Sequence, residues 1–178
     1  MIRLFAAIEV PQPIADSLVR YQVGLPGANW RPVGAFHITL RFFGEVSEPV
    51  ADDIDSALSV VGGPYPNLTL AGVGSFADGD DIHAVWVGVD EDAALSQLAG
   101  RCEAAARRAG LKPDPRTYRP HVTLAYLRRA DPRDVALWEQ TNNLLRSPAF
   151  SVGRFGLYSS HQTSHGSRYR LERDYPLG

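Results

Sequence analysis

The sequence has one cysteine, one methionine and no long apolar run among its 178 residues. The lone Cys102 excludes an intramolecular disulfide and any zinc site built from several cysteines, as expected in a reducing compartment. No apolar run approaches the roughly 20 residues of a membrane helix, and the Ile2–Ile8 run is too short for a signal peptide. We therefore expect a cytoplasmic protein with no membrane association.

Positive charge is missing from a long central stretch of the chain. Residues 42–100 hold eleven Asp or Glu and no Lys or Arg, whereas residues 101–133 hold nine Lys or Arg and three acidic residues. A net charge of −2 argues against non-specific binding along nucleic acid, which needs many contacts from Lys and Arg to phosphates. Some of the local basic residues complement the end of a predicted helix, but those around His121 do not, and they indicate a small anion as ligand.

One tetrapeptide occurs twice in nearly the same form. His37-Ile38-Thr39-Leu40 is followed 84 residues later by His121-Val122-Thr123-Leu124. The alternation predicts two strands, each with its histidine and threonine on one face and its aliphatic residues on the other. By the same alternation Phe42 belongs to the apolar face, and Phe43 to the face of His37. We call the tetrapeptides the first and second motif.

Periodicity and capping residues predict an alternation of strands and helices around these motifs. Helices are predicted over about 11–25, after the N-cap Ser47, over 91–109 with Asp90 or Asp92 as cap, and after the N-cap Asp131. Strands are predicted over about 2–10, 35–43, 67–76, 82–89, 121–127, 150–159 and 168–173, with a polar loop at 160–167. The pattern of motif strand, helix and hairpin occurs after each histidine, which indicates a duplicated unit.

The duplication predicts the architecture. With 44% hydrophobic residues the chain can bury a substantial core. We expect an α+β protein, a single bilobal domain over 1–178, with repeat-like units at approximately 28–90 and 111–174. Each unit forms an antiparallel sheet with outer helices, and a pseudo-twofold axis points both motifs into a central cleft.

The twin motif suits acid–base chemistry at phosphorus. An imidazole has a pKa near ~6.5, so one histidine can take a proton from an attacking hydroxyl while the other gives one to the leaving oxygen. The threonine hydroxyls can donate to non-bridging phosphate oxygens. A zinc site is the rival interpretation, but neither motif contains a further ligand, so we expect no metal. A serine nucleophile lacks its Gly-x-Ser-x-Gly turn, and a single buried His-x-Thr would indicate only packing.

Three segments carry a resemblance to a known family: Arg3–Ile8, Phe36–Glu45 and Tyr118–Leu124. With the ordered motif pair they resemble the two-histidine (2H) phosphoesterases, and most closely the RNA 2′,3′-cyclic phosphodiesterases, historically called 2′-5′ RNA ligases. The resemblance implies a bilobal fold, no cofactor, His37 as proton donor and His121 as proton acceptor, with Thr39 and Thr123 holding the phosphate.

The chain departs from this pattern at Tyr126. Several relatives carry an arginine there, five residues after the second histidine. If a cation is needed, Arg41 and Arg119 lie an even number of residues from their histidines and are predicted on the same strand face. The alternative is that both are solvated arginines at strand ends. The remaining histidines, His83 among them, are assigned no role.

The expected function is hydrolysis of an RNA-terminal 2′,3′-cyclic phosphate to a 2′-phosphate, with 2′-5′ ligation as the reverse reaction. The expected partner is an RNA or oligonucleotide with such an end, and the expected state is a monomer. Two alternatives remain open. One is a phosphodiesterase for another small phosphoester, such as a cyclic nucleotide, an ADP-ribose cyclic phosphate or a 2′-5′ linkage. The other is a non-catalytic module that binds RNA ends.

Overall fold

The computed structural model describes residues 1–178 and contains four α-helices and ten β-strands. The helices are α1 (Gln12–Leu18), α2 (Glu48–Leu58), α3 (Ala93–Arg108) and α4 (Pro132–Asn142). The strands are β1 (Ile2–Glu9), β2 (Asn29–Trp30), β3 (His37–Val46), β4 (Asn67–Leu68), β5 (Leu70–Asp78), β6 (Asp81–Val89), β7 (His121–Tyr126), β8 (Phe150–Ser151), β9 (Arg154–Thr163) and β10 (Gly166–Pro176). The predicted helices and strands occur in the predicted order, but β2 is an additional strand, and the strands predicted over 67–76 and 150–159 are each divided in two.

A side-chain cap marks the start of two of the four helices. The side chain of Asp92 accepts a hydrogen bond from the backbone N–H of Leu95 at 2.8 Å, and α3 starts directly after it. Asp131 accepts from the N–H of Arg133 at 2.9 Å at the start of α4, as predicted. No helix of the structure is both long enough and apolar enough to cross a membrane.

The strands form two four-stranded antiparallel sheets, as the sequence predicts. The first sheet has the order β10-β9-β1-β3 and the second has the order β2-β7-β6-β5, while β4 and β8 form a separate pair. Helix α2 contacts β1, α3 contacts β3 and α4 contacts β5. The apolar residues of both motifs are buried, as predicted: Ile38, Leu40, Val122 and Leu124. Each motif strand is therefore held by the core through one face, which leaves the face of its histidine and threonine available.

The two halves of the chain repeat the same order of elements but exchange a strand. The order β1, α1, β3, α2, β4, β5 recurs as β6, α3, β7, α4, β8, β9. Strand β5 of the first half joins the sheet of the second motif, and β9 of the second half joins the sheet of the first motif. The predicted repeat-like units at approximately 28–90 and 111–174 stay a prediction.

The predicted polar loop at 160–167 is wrong. Strand β9 continues to Thr163 and β10 starts at Gly166, so a tight hairpin turn takes the place of the loop. The Thr163 hydroxyl donates to the carbonyl of Gly166 at 2.7 Å and accepts from the N–H of His165 at 3.2 Å. Gly166 has a φ of 106°, which favours glycine. The residues at this end of the hairpin are polar and exposed, so they lack the alternation of apolar residues by which a sequence indicates a strand.

Gly88 of β6, which pairs with His121, has no room for a side chain. A Cβ added to Gly88 would lie 2.7 Å from the backbone carbonyl oxygen of Ala71, so the strands would have to separate. We expect Gly88→Ala to lower the free energy of unfolding by roughly 1–3 kcal/mol in urea denaturation. The control is Gly100→Ala in α3, where an added Cβ meets nothing within 4 Å and should stabilise the protein. Equal stability of the two variants would contradict this account of β6.

Candidate active site

The two motif histidines are held in the same way at the first residue of their strands. The Nδ1 of His37 lies 2.7 Å from the carbonyl oxygen of Ala35, and the Nδ1 of His121 lies 2.8 Å from that of Arg119. A carbonyl oxygen only accepts, so Nδ1 carries the proton in both rings. The Nε2 atoms form no hydrogen bond within the chain and, in the neutral ring, can accept a proton.

The two rings are close enough to influence each other's protonation. Burial lowers the pKa of His37 to about 4, the carbonyl of Ala35 opposes this, and the positive charges of His121 and Arg31 lower the pKa further. Burial also lowers the pKa of His121, the carbonyl of Arg119 opposes the shift, and the Arg119 charge adds to it. Both imidazoles are therefore neutral at pH 7 in the free protein, beside two fixed positive charges.

The threonines share the face of their histidines. On β3, His37 and Thr39 pair with Glu9 and Ala7, which lie two residues apart on β1. On β7, His121 and Thr123 pair with Gly88 and Trp86, again two residues apart. Neither threonine hydroxyl is bonded to another group of the chain. The structure thus presents an imidazole and a hydroxyl from each motif strand, and we call this surface the histidine face.

A β-bulge interrupts each motif strand at the third residue after its histidine. Thr39 and Arg41 pair with the adjacent residues Ala7 and Ala6, so Leu40 is the extra residue. Thr123 and Ala125 likewise pair with adjacent residues of β6, so Leu124 is extra. A bulge reverses the alternation of side chains beyond it. As a result the fifth residue after each histidine, Phe42 and Tyr126, lies on the histidine face.

The bulge corrects two predictions for β3. Phe42 is 41% exposed and stacks on Phe5 with ring centroids 5.7 Å apart, whereas Phe43 is buried with 7% exposure. The sequence predicted the opposite assignment for these two residues. The even-step argument that placed Arg41 beside His37 is also wrong, because Arg41 pairs with Ala6 and Thr39 with Ala7, which point to opposite faces.

Arg41 instead fastens the loop that leads into the second motif. Its Nε binds the carboxylate of Glu103 in α3, and its Nη atoms donate to the carbonyls of Phe42 and Lys112. The Tyr118 hydroxyl, three residues before His121, donates to the carbonyl of Thr39 at 3.0 Å. These hydrogen bonds hold the segment before the second motif against β3, the first motif strand. The separation of the two histidines is therefore set by side chains and not by the sheets alone.

The basic residues near the second motif divide into paired and unpaired ones. Arg116 makes a two-point ion pair with Asp114, which lowers the pKa of that carboxyl to about 2. Arg119 is exposed and its charge acts on His121, so its predicted contact with substrate stays a prediction. No group of three or more His, Cys, Asp or Glu side chains in the structure is arranged to hold a metal ion.

Aromatic side chains from outside the two motifs surround both histidines. The Phe5 and Tyr169 ring centroids lie 4.9 and 5.0 Å from that of His37. The Phe76 ring centroid lies 4.7 Å from that of His121. These contacts explain the burial of the imidazoles. The alternation of β1 with β3 could have indicated Phe5, but Tyr169 arrives from a strand far along the chain.

Comparisons with known proteins agree on one family. Residues 10–164 match the family model described as the 2′-5′ RNA ligase superfamily. An RNA 2′,3′-cyclic phosphodiesterase of Aeropyrum pernix is 41% identical over 53% of this chain and 54% of that protein. One of Escherichia coli is 34% identical over 68% of this chain and 70% of that protein. The crystal structure of Escherichia coli LigT complexed with 3′-AMP has the same fold, with a TM-score of 0.81, 24% identity and coverage of 99% of this chain and 98% of LigT.

The burial of the two imidazoles predicts their titration in the free protein. We expect His37 to titrate at a pKa of about 4 and His121 below 6.5 when the ring Hε1 resonances are followed by NMR. Sulfate should raise both values, because an anion beside the rings favours their protonated forms. The variants His37→Gln and His121→Gln assign the two signals. A His37 ring that titrates at or above 6.5 without sulfate would contradict the enclosed site.

Proposed function

This chain belongs to the 2′-5′ RNA ligase superfamily, and from that membership we propose that it hydrolyses an RNA-terminal 2′,3′-cyclic phosphate to a 2′-phosphate. The observation that carries the proposal is the matched pair of imidazoles. Each has its Nδ1 proton bound to a carbonyl, its Nε2 without a partner, and a threonine hydroxyl on the same face. Each Nε2 can therefore take part in one proton transfer, so the pair can act on the two sides of one phosphorus atom.

The proposed reaction moves one proton at each histidine. A water oxygen attacks phosphorus, and Nε2 of His121 takes the water proton. The bond from phosphorus to O3′ breaks, and O3′ receives a proton from Nε2 of His37, which leaves a 2′-phosphate and a free 3′-hydroxyl. The Nδ1 atoms keep their protons throughout, since their carbonyl partners accept in both protonation states. If the attacking group is the 5′-hydroxyl of another RNA, the same transfers form a 2′-5′ linkage.

Substrate binding must protonate the donor. In the free protein the pKa of His37 is about 4, so the ring is neutral at pH 7. A phosphate anion within about 4 Å of the ring favours the protonated form and raises its pKa. The assignment of His37 as donor and His121 as acceptor follows the family resemblance. Thr39 and Thr123 are proposed to donate to the non-bridging oxygens, and Arg119 to contact the substrate from the side of His121.

The proposed partner is an RNA or oligonucleotide that ends in a cyclic phosphate, and the proposed compartment is the cytoplasm. The support for the substrate is the family and the names of the relatives. The support for the compartment is the single cysteine, Cys102, which is buried and unpaired.

Removal of either imidazole tests the proposed function. On a short RNA with a 2′,3′-cyclic phosphate, assayed in EDTA, we expect His37→Ala and His121→Ala each to lower kcat by roughly 10²–10⁴-fold, because each removes one proton transfer. The wild-type kcat should follow a bell-shaped pH profile, with the acid limb from His121 and the alkaline limb from His37. Chromatography against 2′- and 3′-phosphate standards identifies the product.

The matched control is His165→Ala, in the exposed turn between β9 and β10, which should retain wild-type turnover. A panel of cyclic nucleotides, an ADP-ribose cyclic phosphate and a 2′-5′ dinucleotide separates the proposed substrate from other phosphoesters. Wild-type turnover by either histidine variant would remove the acid–base assignment, and faster cleavage of another panel member would replace the substrate.

A further inference from the structure

Arg31 is the one charged residue of the chain that is buried, with 7% of its surface exposed. Its backbone is fixed beside the second motif strand. The N–H of Arg31 donates to the carbonyl of Leu124 at 2.8 Å, and its own carbonyl accepts from Nε2 of Gln22 at 2.8 Å. Leu124 is the bulged residue of β7. The backbone of Arg31 is therefore bonded to the second motif strand at the point where the alternation of its side chains reverses.

The guanidinium of Arg31 has almost no polar partner. Of its five N–H donors, one makes a hydrogen bond, from Nη2 to the carbonyl of Ser167 at 3.3 Å, and no Asp or Glu pairs with it. The group lies instead over two aromatic rings, 5.3 Å from the centroid of Tyr126 and 5.9 Å from that of Tyr169. These rings hold the guanidinium in place and leave most of its donors free.

An arginine in this state is expensive for the fold. Burial of an unpaired charge costs free energy, of which a cation–π contact returns only about 0.5–2 kcal/mol. The unbonded donors of Arg31 keep a small opening to solvent, because they are not among the fully buried side-chain nitrogens without a partner. Arg41 shows the alternative, since its guanidinium binds a carboxylate and two carbonyls. The chain therefore supplies a counterion, Glu103, to Arg41 and none to Arg31. An anion from outside the chain would complete the environment of Arg31.

The guanidinium of Arg31 and the imidazole of His37 share a neighbouring ring. The ring of Tyr169 contacts both the guanidinium of Arg31 and the imidazole of His37, at centroid distances of 5.9 and 5.0 Å. The charge of Arg31 is also one of the causes that lower the pKa of His37. Tyr126, the second ring beside the guanidinium, stands on the histidine face of β7. The unpaired cation and the two free Nε2 atoms thus share one region.

We infer that Arg31 binds a non-bridging oxygen of the phosphate on which His37 and His121 act. The inference rests on the proposed function and adds a phosphate-binding residue that lies outside both motifs. A planar guanidinium can bind two phosphate oxygens at once, and it stabilises the negative charge that grows on them as the attacking oxygen approaches. The rings of Tyr126 and Tyr169 keep the fork oriented without neutralising its charge.

Arg31→Met and Arg31→Lys test this inference through two measurements. Arg31→Met should weaken the binding of inorganic sulfate at least tenfold and lower kcat/KM for the cyclic phosphate on the order of 10²-fold. Arg31→Lys keeps the charge but loses the planar guanidinium. Its sulfate affinity and its kcat/KM should therefore lie between those of Arg31→Met and the wild type. The control is Arg133→Met on the exposed side of α4, which removes the same charge away from the site and should change neither value.

The thermal midpoint separates binding from a purely structural role. Because Arg31 is buried without a counterion, Arg31→Met should keep or raise the midpoint of unfolding, and it should raise the pKa of His37 in the free protein. Sulfate affinity of Arg31→Met within twofold of the wild type would overturn the inference, and a lower midpoint beside it would assign Arg31 a structural role. Sulfate binding by the wild type needs no turnover, so an inactive wild type would refute the proposed function while the sulfate comparison still decides the role of Arg31.

Discussion

The paired β-bulges at Leu40 and Leu124 are the constraint on which the histidine face depends. Each inserts one residue three positions after its histidine, in a strand whose opposite face is fixed in the core. The insertion turns the fifth residue, Phe42 or Tyr126, toward the histidines and turns the fourth away. In β3 this sends Arg41 to Glu103 and the loop before the second motif. The same irregularity in both strands decides which side chains lie on the histidine face and, in β3, which one holds the two motif strands together.

The charges around the two histidines favour the binding of an anion. Two imidazoles with lowered pKa values stand near two arginines whose charges act on them, Arg31 on His37 and Arg119 on His121. No carboxylate pairs with Arg31, and none of the Nε2 atoms has a partner. An arriving phosphate would raise the pKa of the proton donor and neutralise the buried arginine at the same time. In the proposed mechanism the substrate thus creates the protonation state that its own cleavage requires.

Sequence alone could predict the parts that depend on local pattern. The motif pair, the caps at Asp92 and Asp131, and the two antiparallel sheets follow from alternation, capping chemistry and duplication. The bulges could not be predicted, because an extra residue in a strand leaves no mark on composition, and the assignment of Phe42, Phe43 and Arg41 to strand faces failed there. The exchange of β5 and β9 between the sheets depends on pairing over long distances in the chain.

The site residues that the sequence does not indicate lie outside the two motif strands. Tyr126 departs from the family pattern, and strand alternation predicts Arg41 and Arg119 as replacement cations. Arg31 lies on the segment after β2, where nothing in its local sequence distinguishes it from an ordinary surface arginine. Only its burial, its missing counterion and its position over Tyr126 and Tyr169 single it out.

The most direct test of the central claim is a crystal structure with a 2′-phosphorylated nucleotide, the proposed product, in the site. The account predicts one phosphate group contacted from opposite sides, with Nε2 of His37 and Nε2 of His121 each within about 3 Å of an oxygen on or leaving the same phosphorus atom. A phosphate that reaches only one of the two imidazoles, or that binds away from both, would contradict it.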